Sequence, residues 1–191
     1  MTTVTTPWGL SDPMLRLFVA LALPELLRDQ LAGLVGGIPG AKWVPPDNYH
    51  LTLRFIGAIE RWRAEEVDEA LAAIRARPFD LSLCGVGTFE KAGRIQSLWV
   101  GVERTEALSH LQAKVETALQ RVGLEPERRR FAPHITLARV DRAEVPKLVA
   151  YVQAHNLFRA PPVRMEQFTL FSSLLGKEHS VYTPEVEYAL A

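Results

Sequence analysis

The chain has 191 residues, of which 48% are apolar and 23% charged, a composition that is typical of a folded globular protein and excludes extended disorder. Its 22 basic and 22 acidic residues cancel, which excludes a global positive field able to hold a long nucleic acid. The single cysteine, Cys84, excludes an internal disulfide and a cysteine-based zinc site, and it favours a cytoplasmic protein.

The N-terminal half alternates predicted strands and helices. Residues 1–14 are expected to form a flexible leader that lacks the features of a signal peptide, and no apolar run predicts a membrane span. A buried strand is predicted over 15–23, a helix over 24–34, and a strand over 49–56 that follows a proline-containing turn. Apolar residues spaced by three and four predict another helix over 64–77.

The C-terminal half continues the pattern. Amphipathic helices are predicted over 108–122 and 144–155. The predicted strands cover residues 79–89, 95–103, 131–140, 163–175 and 180–190. Because several neighbouring strands are joined by short turns, the pattern indicates an α+β fold rather than a doubly wound parallel sheet. No linker divides residues 15–191, so a single domain is expected.

A four-residue motif, His-x-Thr-Leu, occurs twice, at His50 and at His134. A random order of these residues would produce roughly 0.04 such matches, so the repeat is specific. Alternate side chains of a strand share a face, which places Thr52 beside His50 and Thr136 beside His134. Two such strands facing each other would form a site with two imidazoles and two hydroxyls.

This set of groups suits a displacement at phosphorus. One imidazole would accept a proton from the attacking oxygen while the other donates a proton to the leaving oxygen. The two threonine hydroxyls would hydrogen-bond to the non-bridging phosphate oxygens as charge develops there. The reaction requires neither a metal nor another cofactor.

The paired motifs make the chain resemble the two-histidine (2H) phosphoesterase superfamily and, within it, the RNA 2',3'-cyclic phosphodiesterases, also called 2'-5' RNA ligases. The likeness extends over residues 15–190 and includes the segments LRLFVALALPELL, WVPPDNYHLTLRFIG, FEKAGRIQSLWVGV, FAPHITLAR and FTLFSSLLG. It implies a bilobal fold in which the antiparallel sheets of two pseudo-symmetric lobes line a central groove. Helices would lie outside, and each lobe would contribute one motif.

The resemblance also implies metal-independent opening of a terminal 2',3'-cyclic phosphate to a 2'-phosphate, together with reversible 2'-5' RNA ligation. His50 would be the general acid and His134 the general base, although approximate symmetry allows these roles to exchange. Thr52 and Thr136 would bind the phosphate. The implied partners are RNA 3' ends bearing the cyclic phosphate, tRNA fragments among them, or cyclic nucleotides. Since no apolar stripe is left over, a monomer is expected.

Other side chains are candidate substrate contacts. Arg139 matches the arginine that ends the family's second motif, but strand parity directs it away from the motif threonine unless the strand bulges. Parity puts Arg54 on the face of His50, and Arg130 ends a basic run that includes residues 128 and 129. The aromatic candidates for stacking on a base are Tyr182, Phe55, Trp43 and Phe131, although aromatic residues in strands are more often core.

Several alternatives stay open. A metal hydrolase would need ligands that neither motif supplies, and no serine or cysteine nucleophile motif occurs. The chain could be a non-catalytic nucleotide or RNA-end binding module, or a 2H phosphodiesterase acting on another cyclic nucleotide. The remaining histidines, His110, His155 and His179, have no partner motif and are expected to be structural or solvated.

Overall fold

The computed structural model describes residues 14–140, 143–176 and 180–191. The leader predicted over 1–14 therefore lies outside the described residues except for Met14, which is the first residue of a strand. His179 also lies outside them. Within the described ranges, no helix has the length and apolar character needed to cross a membrane.

The described part of the chain contains nine strands and four helices. The strands are β1 (Met14–Ala22), β2 (Lys42–Trp43), β3 (His50–Glu60), β4 (Phe79–Lys91), β5 (Arg94–Val102), β6 (His134–Arg139), β7 (Arg159–Met165), β8 (Gln167–Leu175) and β9 (Ser180–Ala189). The helices are α1 (Glu25–Ala32), α2 (Arg61–Ala72), α3 (Glu106–Arg121) and α4 (Val145–His155). The prediction of one strand over 163–175 is wrong. The segment contains the end of β7 and all of β8, which belong to different sheets and are separated by Glu166. Strand β2 was not predicted.

The strands form two antiparallel sheets, one per lobe. The first has the order β3-β1-β8-β9 and the second the order β2-β6-β5-β4-β7. In each sheet the motif strand pairs with the strand that precedes it by one helix, β3 with β1 and β6 with β5. The units β1-α1-β3-α2 and β5-α3-β6-α4 are thus equivalent. The predicted bilobal α+β fold, with one motif in each lobe, is confirmed.

A continuous hydrophobic core joins the sheets and the helices. Helix α3 contributes to this core with one apolar face. Its buried residues recur every three or four positions: Leu108, Leu111, Val115 and Leu119. The Thr105 side chain caps its first turn by accepting a hydrogen bond from the Leu108 amide at 3.2 Å. Both motif strands bury one face in this core, through Leu51 and Ile135 among others. Their histidine faces are therefore left for the groove.

Candidate active site

The fold brings the two motif histidines to one place, because strands β3 and β6 contact each other across the lobes. The Nδ1 atom of His50 lies 2.7 Å from the carbonyl oxygen of Asn48, and that of His134 lies 2.7 Å from the carbonyl oxygen of Ala132. A carbonyl only accepts hydrogen bonds, so each Nδ1 carries the hydrogen and donates it. Each Nε2 is then left to exchange protons with a substrate.

Aromatic rings hold both imidazoles. The ring centroid of His50 lies 4.9 Å from that of Phe18 and 5.2 Å from that of Tyr182, which it meets edge-on. The ring of His134 meets Phe89 edge-on at 4.7 Å. These contacts restrict the motion of each imidazole, as a preorganised acid–base pair requires. Tyr182, a predicted site residue, therefore lies beside His50.

Burial lowers the pKa of both histidines. For His50 the loss of solvation is the main cause, the hydrogen bond to the Asn48 carbonyl opposes it, and the nearby charge of His134 lowers the pKa further. For His134 desolvation again dominates over the hydrogen bond to Ala132. Both imidazoles thus favour their neutral forms, and the charge of a protonated His134 further disfavours protonation of His50. Acid–base catalysis requires one of the two imidazoles to be neutral and the other protonated.

Each motif strand contains a β-bulge at the motif leucine. In the first lobe, Ala20 of β1 pairs with Thr52, but the next residue back, Val19, pairs with Arg54, so Leu53 is left without a partner. Because directly paired residues share a face, the extra residue reverses the alternation. Phe55 therefore joins the face of His50 and Thr52.

The same bulge turns Arg54 to the opposite face, so the parity prediction for this residue is wrong. Its Nε lies 2.5 Å from the Glu116 Oε2 on α3, and its other nitrogens donate to the carbonyl oxygens of Phe55 and Glu125. The guanidinium is therefore engaged by the protein itself. Arg54 connects β3 to α3 and to the loop 122–133.

The second lobe repeats the bulge at Leu137. Trp99 of β5 pairs with Thr136 and Leu98 pairs with Ala138, which brings Arg139 onto the face of His134. Simple parity had directed Arg139 away. Lys42 of β2 pairs with Arg139 and shares its face. Sequence reasoning missed Lys42, because a two-residue strand leaves no periodic signal.

A cavity of about 660 Å³ lies beside the motifs, and we refer to it as the Phe55 cavity. Its lining includes residues of both motifs, three aromatic residues and Arg54, which takes part in the wall although its guanidinium is bound to Glu116: Thr52, His134, Phe55, Phe89, Phe131 and Arg54. Arg130, predicted to contact substrate, also lines it. Trp43, in contrast, packs on Tyr151 with ring centroids 6.1 Å apart and is partly buried against the core.

The remaining described histidines lie apart from the motifs. His155 Nδ1 is 2.8 Å from the Tyr151 carbonyl oxygen, a local bond at the end of α4. His110 is exposed on α3. Across residues 14–140, 143–176 and 180–191, no group of three or more His, Cys, Asp or Glu side chains could hold a metal ion.

Two equivalent lobes that each contribute a histidine and a threonine to one groove define a phosphoesterase of the two-histidine class. The chain belongs to the LigT-like phosphoesterase family, whose model matches residues 21–99 and, in a second match, residues 100–182. The boundary between the matches separates the His50 motif from the His134 motif. The family model thus finds the same internal repeat that the motifs and the sheets show.

Named relatives and solved structures agree with this assignment. A protein of Aeropyrum pernix named RNA 2',3'-cyclic phosphodiesterase is 35% identical over 158 residues, which are 82% of this chain and 88% of that protein. An Archaeoglobus fulgidus protein of the same name is 28% identical over 88% of this chain and 96% of its own length. The crystal structure of E. coli LigT complexed with 3'-AMP superposes with a TM-score of 0.74 at 27% identity, covering 93% of this chain and 98% of that one.

Proposed function

We propose that this protein is an RNA 2',3'-cyclic phosphodiesterase that opens terminal cyclic phosphates to 2'-phosphates with His50 and His134 and without a metal. One observation carries the proposal: each imidazole is held at Nδ1 by a backbone carbonyl, and its Nε2 is left for proton transfer. The names of the relatives from Aeropyrum pernix and Archaeoglobus fulgidus support the same substrate class.

The reaction needs one proton accepted and one donated. His134 takes a proton from water, whose oxygen attacks phosphorus in line with the 3' oxygen. The bond between phosphorus and the 3' oxygen breaks, His50 protonates that oxygen, and the phosphate stays on the 2' oxygen. The hydroxyls of Thr52 and Thr136 hydrogen-bond to the non-bridging oxygens, where negative charge accumulates in the transition state. Exchange with solvent then resets the two imidazoles.

Arg139 strengthens this arrangement. The strand register after the bulge at Leu137, which sets Arg139 on the same face of the sheet as His134 and Thr136, supports this role. A guanidinium there attracts the phosphate throughout the reaction. If the 5' hydroxyl of a second RNA replaces water, the same four groups join the two ends through a 2'-5' linkage.

We further propose that residues 15–191 form one domain and that the protein is a cytoplasmic monomer. Its substrates would be RNA 3' ends, such as those of tRNA fragments. The free thiol of Cys84 supports a reducing compartment. The neutral overall charge supports local recognition of an RNA end rather than of a long duplex.

The test is turnover of a short RNA that ends in a 2',3'-cyclic phosphate, with EDTA present. We expect a 2'-phosphate product, and we expect His50→Ala and His134→Ala each to lower kcat by several orders of magnitude. His110→Ala, an exposed histidine on α3, is the matched control and should keep full activity. Activity that appears only with an added divalent ion, or that survives loss of both motif histidines, would contradict the proposal.

A further inference from the structure

We propose that Asn48 is a positioning residue for His50, because its two polar groups connect the imidazole to strand β9. The backbone carbonyl oxygen of Asn48 accepts the hydrogen bond from the His50 Nδ1 at 2.7 Å. The side-chain Nδ2 of the same residue donates to the carbonyl oxygen of Ser180 at 2.9 Å. This inference rests on the proposed function, since it states how one of the two histidines is kept in the orientation that proton transfer needs.

The carbonyl that holds the imidazole belongs to a short turn. Asn48 is the last residue of a single 3-10 turn, Pro46–Asn48, which begins without a side-chain cap. The backbone bonds of this turn are local: the Asn48 amide donates to the Pro45 carbonyl at 2.8 Å, and the Tyr49 amide donates to the Pro46 carbonyl at 3.1 Å. A single turn of helix is only marginally stable by itself. Its orientation therefore depends on contacts with the rest of the fold.

The Asn48 side chain supplies such a contact. A carbonyl oxygen only accepts hydrogen bonds, so the side-chain atom that faces Ser180 is the donor Nδ2. This bond is partly buried and joins residues that are 132 positions apart. The neighbouring Asp47 also reaches out of the turn, to Arg28 at 2.9 Å, but its side chain is 94% exposed, and exposed ion pairs contribute little. The bond to Ser180 is therefore the better support for the carbonyl.

The acceptor of this bond lies in the other edge strand of the same sheet. In the order β3-β1-β8-β9, two strands separate β3 from β9. Ser180 is the first residue of β9, and two residues later the Tyr182 ring meets the His50 ring edge-on at a centroid distance of 5.2 Å. Strand β9 thus supports His50 twice, through the carbonyl that orients Nδ1 and through a ring that packs against the imidazole. Loss of the Asn48 amide removes the first of these supports.

The second lobe supports its histidine differently. Ala132 occupies the equivalent position two residues before His134, and its carbonyl oxygen accepts from Nδ1 at the same distance of 2.7 Å. Alanine has no side-chain donor, so this carbonyl is not tied to another strand by its own residue. Substitution of Asn48 should therefore disturb His50 and leave His134 unchanged. That difference distinguishes a positioning role from a general loss of structure.

The kinetic experiment compares Asn48→Ala with the isosteric Asn48→Asp, which places an oxygen where the donor was. Both variants keep the backbone carbonyl. With a short RNA that ends in a 2',3'-cyclic phosphate, each should lower kcat about tenfold and leave KM unchanged, because the imidazole loses its productive orientation. Asn156→Ala is the matched control, since it removes the same amide from an exposed asparagine that follows α4, and it should change neither constant.

NMR of the imidazole nitrogens gives a readout that does not depend on turnover. In the wild type, neutral His50 should carry its hydrogen on Nδ1, and this hydrogen should exchange slowly with solvent because the Asn48 carbonyl holds it. Both Asn48 variants should populate the tautomer with the hydrogen on Nε2 and should exchange faster. The spectrum of His134 should stay the same.

A loss of stability with kcat and the His50 tautomer unchanged would show a merely structural role and overturn the inference. A higher KM at unchanged kcat, equal effects on both histidines, or wild-type behaviour of Asn48→Asp would overturn it as well. If one of the two variants does not fold, the other decides. If the wild-type protein does not turn over the cyclic phosphate, the proposed function fails, and the His50 tautomer in the Asn48 variants decides the positioning role alone.

Discussion

The Nε atom of Arg54 lies 2.5 Å from Oε2 of Glu116, and the two side chains are only 10% and 18% exposed. Glu116 also accepts hydrogen bonds from the Gln120 side chain at 2.7 Å and from the Glu127 amide at 2.9 Å. The Arg54–Glu116 ion pair and the Glu127 hydrogen bond therefore connect the loop 122–133 to strand β3. The same loop contains Ala132, whose carbonyl oxygen orients His134. Arg54 also lines the Phe55 cavity, but its guanidinium is engaged by Glu116 and by two carbonyl oxygens, so we expect it to influence catalysis mainly through the position of this loop.

Replacing Arg54 by methionine should therefore act through position rather than through substrate binding. Because the Glu116 carboxylate would lose its buried partner, we expect stability to fall by about 1–3 kcal/mol in chemical denaturation. We expect kcat to fall about tenfold, since a small displacement of the His134 support is costly, while KM changes little. The pH profile should shift as well, because the support of His134 moves.

The double variant Arg54→Met/Glu116→Gln provides the control for this pair. If the two residues act together, the double variant should lose no more stability than the worse single variant. Additive losses would contradict the pairing. A large rise in KM with stability unchanged would instead indicate that Arg54 binds the substrate directly.

The pH dependence of turnover follows from the lowered pKa of both histidines. A lowered pKa means that the neutral form persists to lower pH, so a protonated acid is available only below the ordinary imidazole value of 6.5. We expect kcat/KM to reach its maximum on the acidic side of pH 6.5 and to fall as the pH rises. A maximum well above neutrality would contradict this prediction.

His134→Asn should raise the pKa of His50. The charge of His134 is one cause of the lowered value, and asparagine removes that charge while keeping a polar side chain. Titration of the His50 ring protons by NMR measures the change, with His110→Ala as the control that should have no effect. An unchanged His50 pKa would show that the two imidazoles do not interact.

Gly87→Ala should lower kcat without unfolding the protein. A Cβ atom at Gly87 would lie 2.5 Å from the Trp99 ring, which must then shift. Trp99 contacts the Phe89 ring at a centroid distance of 5.2 Å, and Phe89 meets His134 edge-on. Kinetics and circular dichroism test this, with Gly33→Ala, where the nearest atom lies at 3.3 Å, as the control. Wild-type kcat in Gly87→Ala would contradict a role for this aromatic support.

Tyr188→Phe should lower stability by about 1–3 kcal/mol and leave kcat of the folded protein unchanged. The buried Tyr188 hydroxyl donates to Oδ1 of Asp68 at 2.7 Å, and this bond joins β9 to α2. Burial, followed by this bond, raises the pKa of the tyrosine. Asp68→Asn keeps an acceptor and should lose less. Equal stability of Tyr188→Phe and the wild type in urea denaturation would contradict the prediction.

Local information in the sequence was enough for the helices, for most of the strands and for the motifs, but not for β2 or for the change of sheet at Glu166. The spacing of Leu108, Leu111 and Val115 predicts α3, because a helix repeats every 3.6 residues and buries one face. The repeated His-x-Thr-Leu motif predicts two equivalent strands, and both occur at the expected places, one in each sheet. Alternation over three residues also places each threonine on the face of its histidine, and the strand pairing agrees.

Beyond the motif leucines, only the tertiary structure decided which side chains face the groove. The bulges at Leu53 and Leu137 reverse the alternation, so Phe55 and Arg139 turn toward the groove and Arg54 turns toward α3. A bulge depends on how a strand pairs with β1 or β5, and these partners are distant in sequence. The sequence by itself determined the two histidines and two threonines, because their spacing is local. Which other side chains accompany them in the groove was determined by the pairing of β3 with β1 and of β6 with β5, because the register of these strands sets the face of each residue after a bulge.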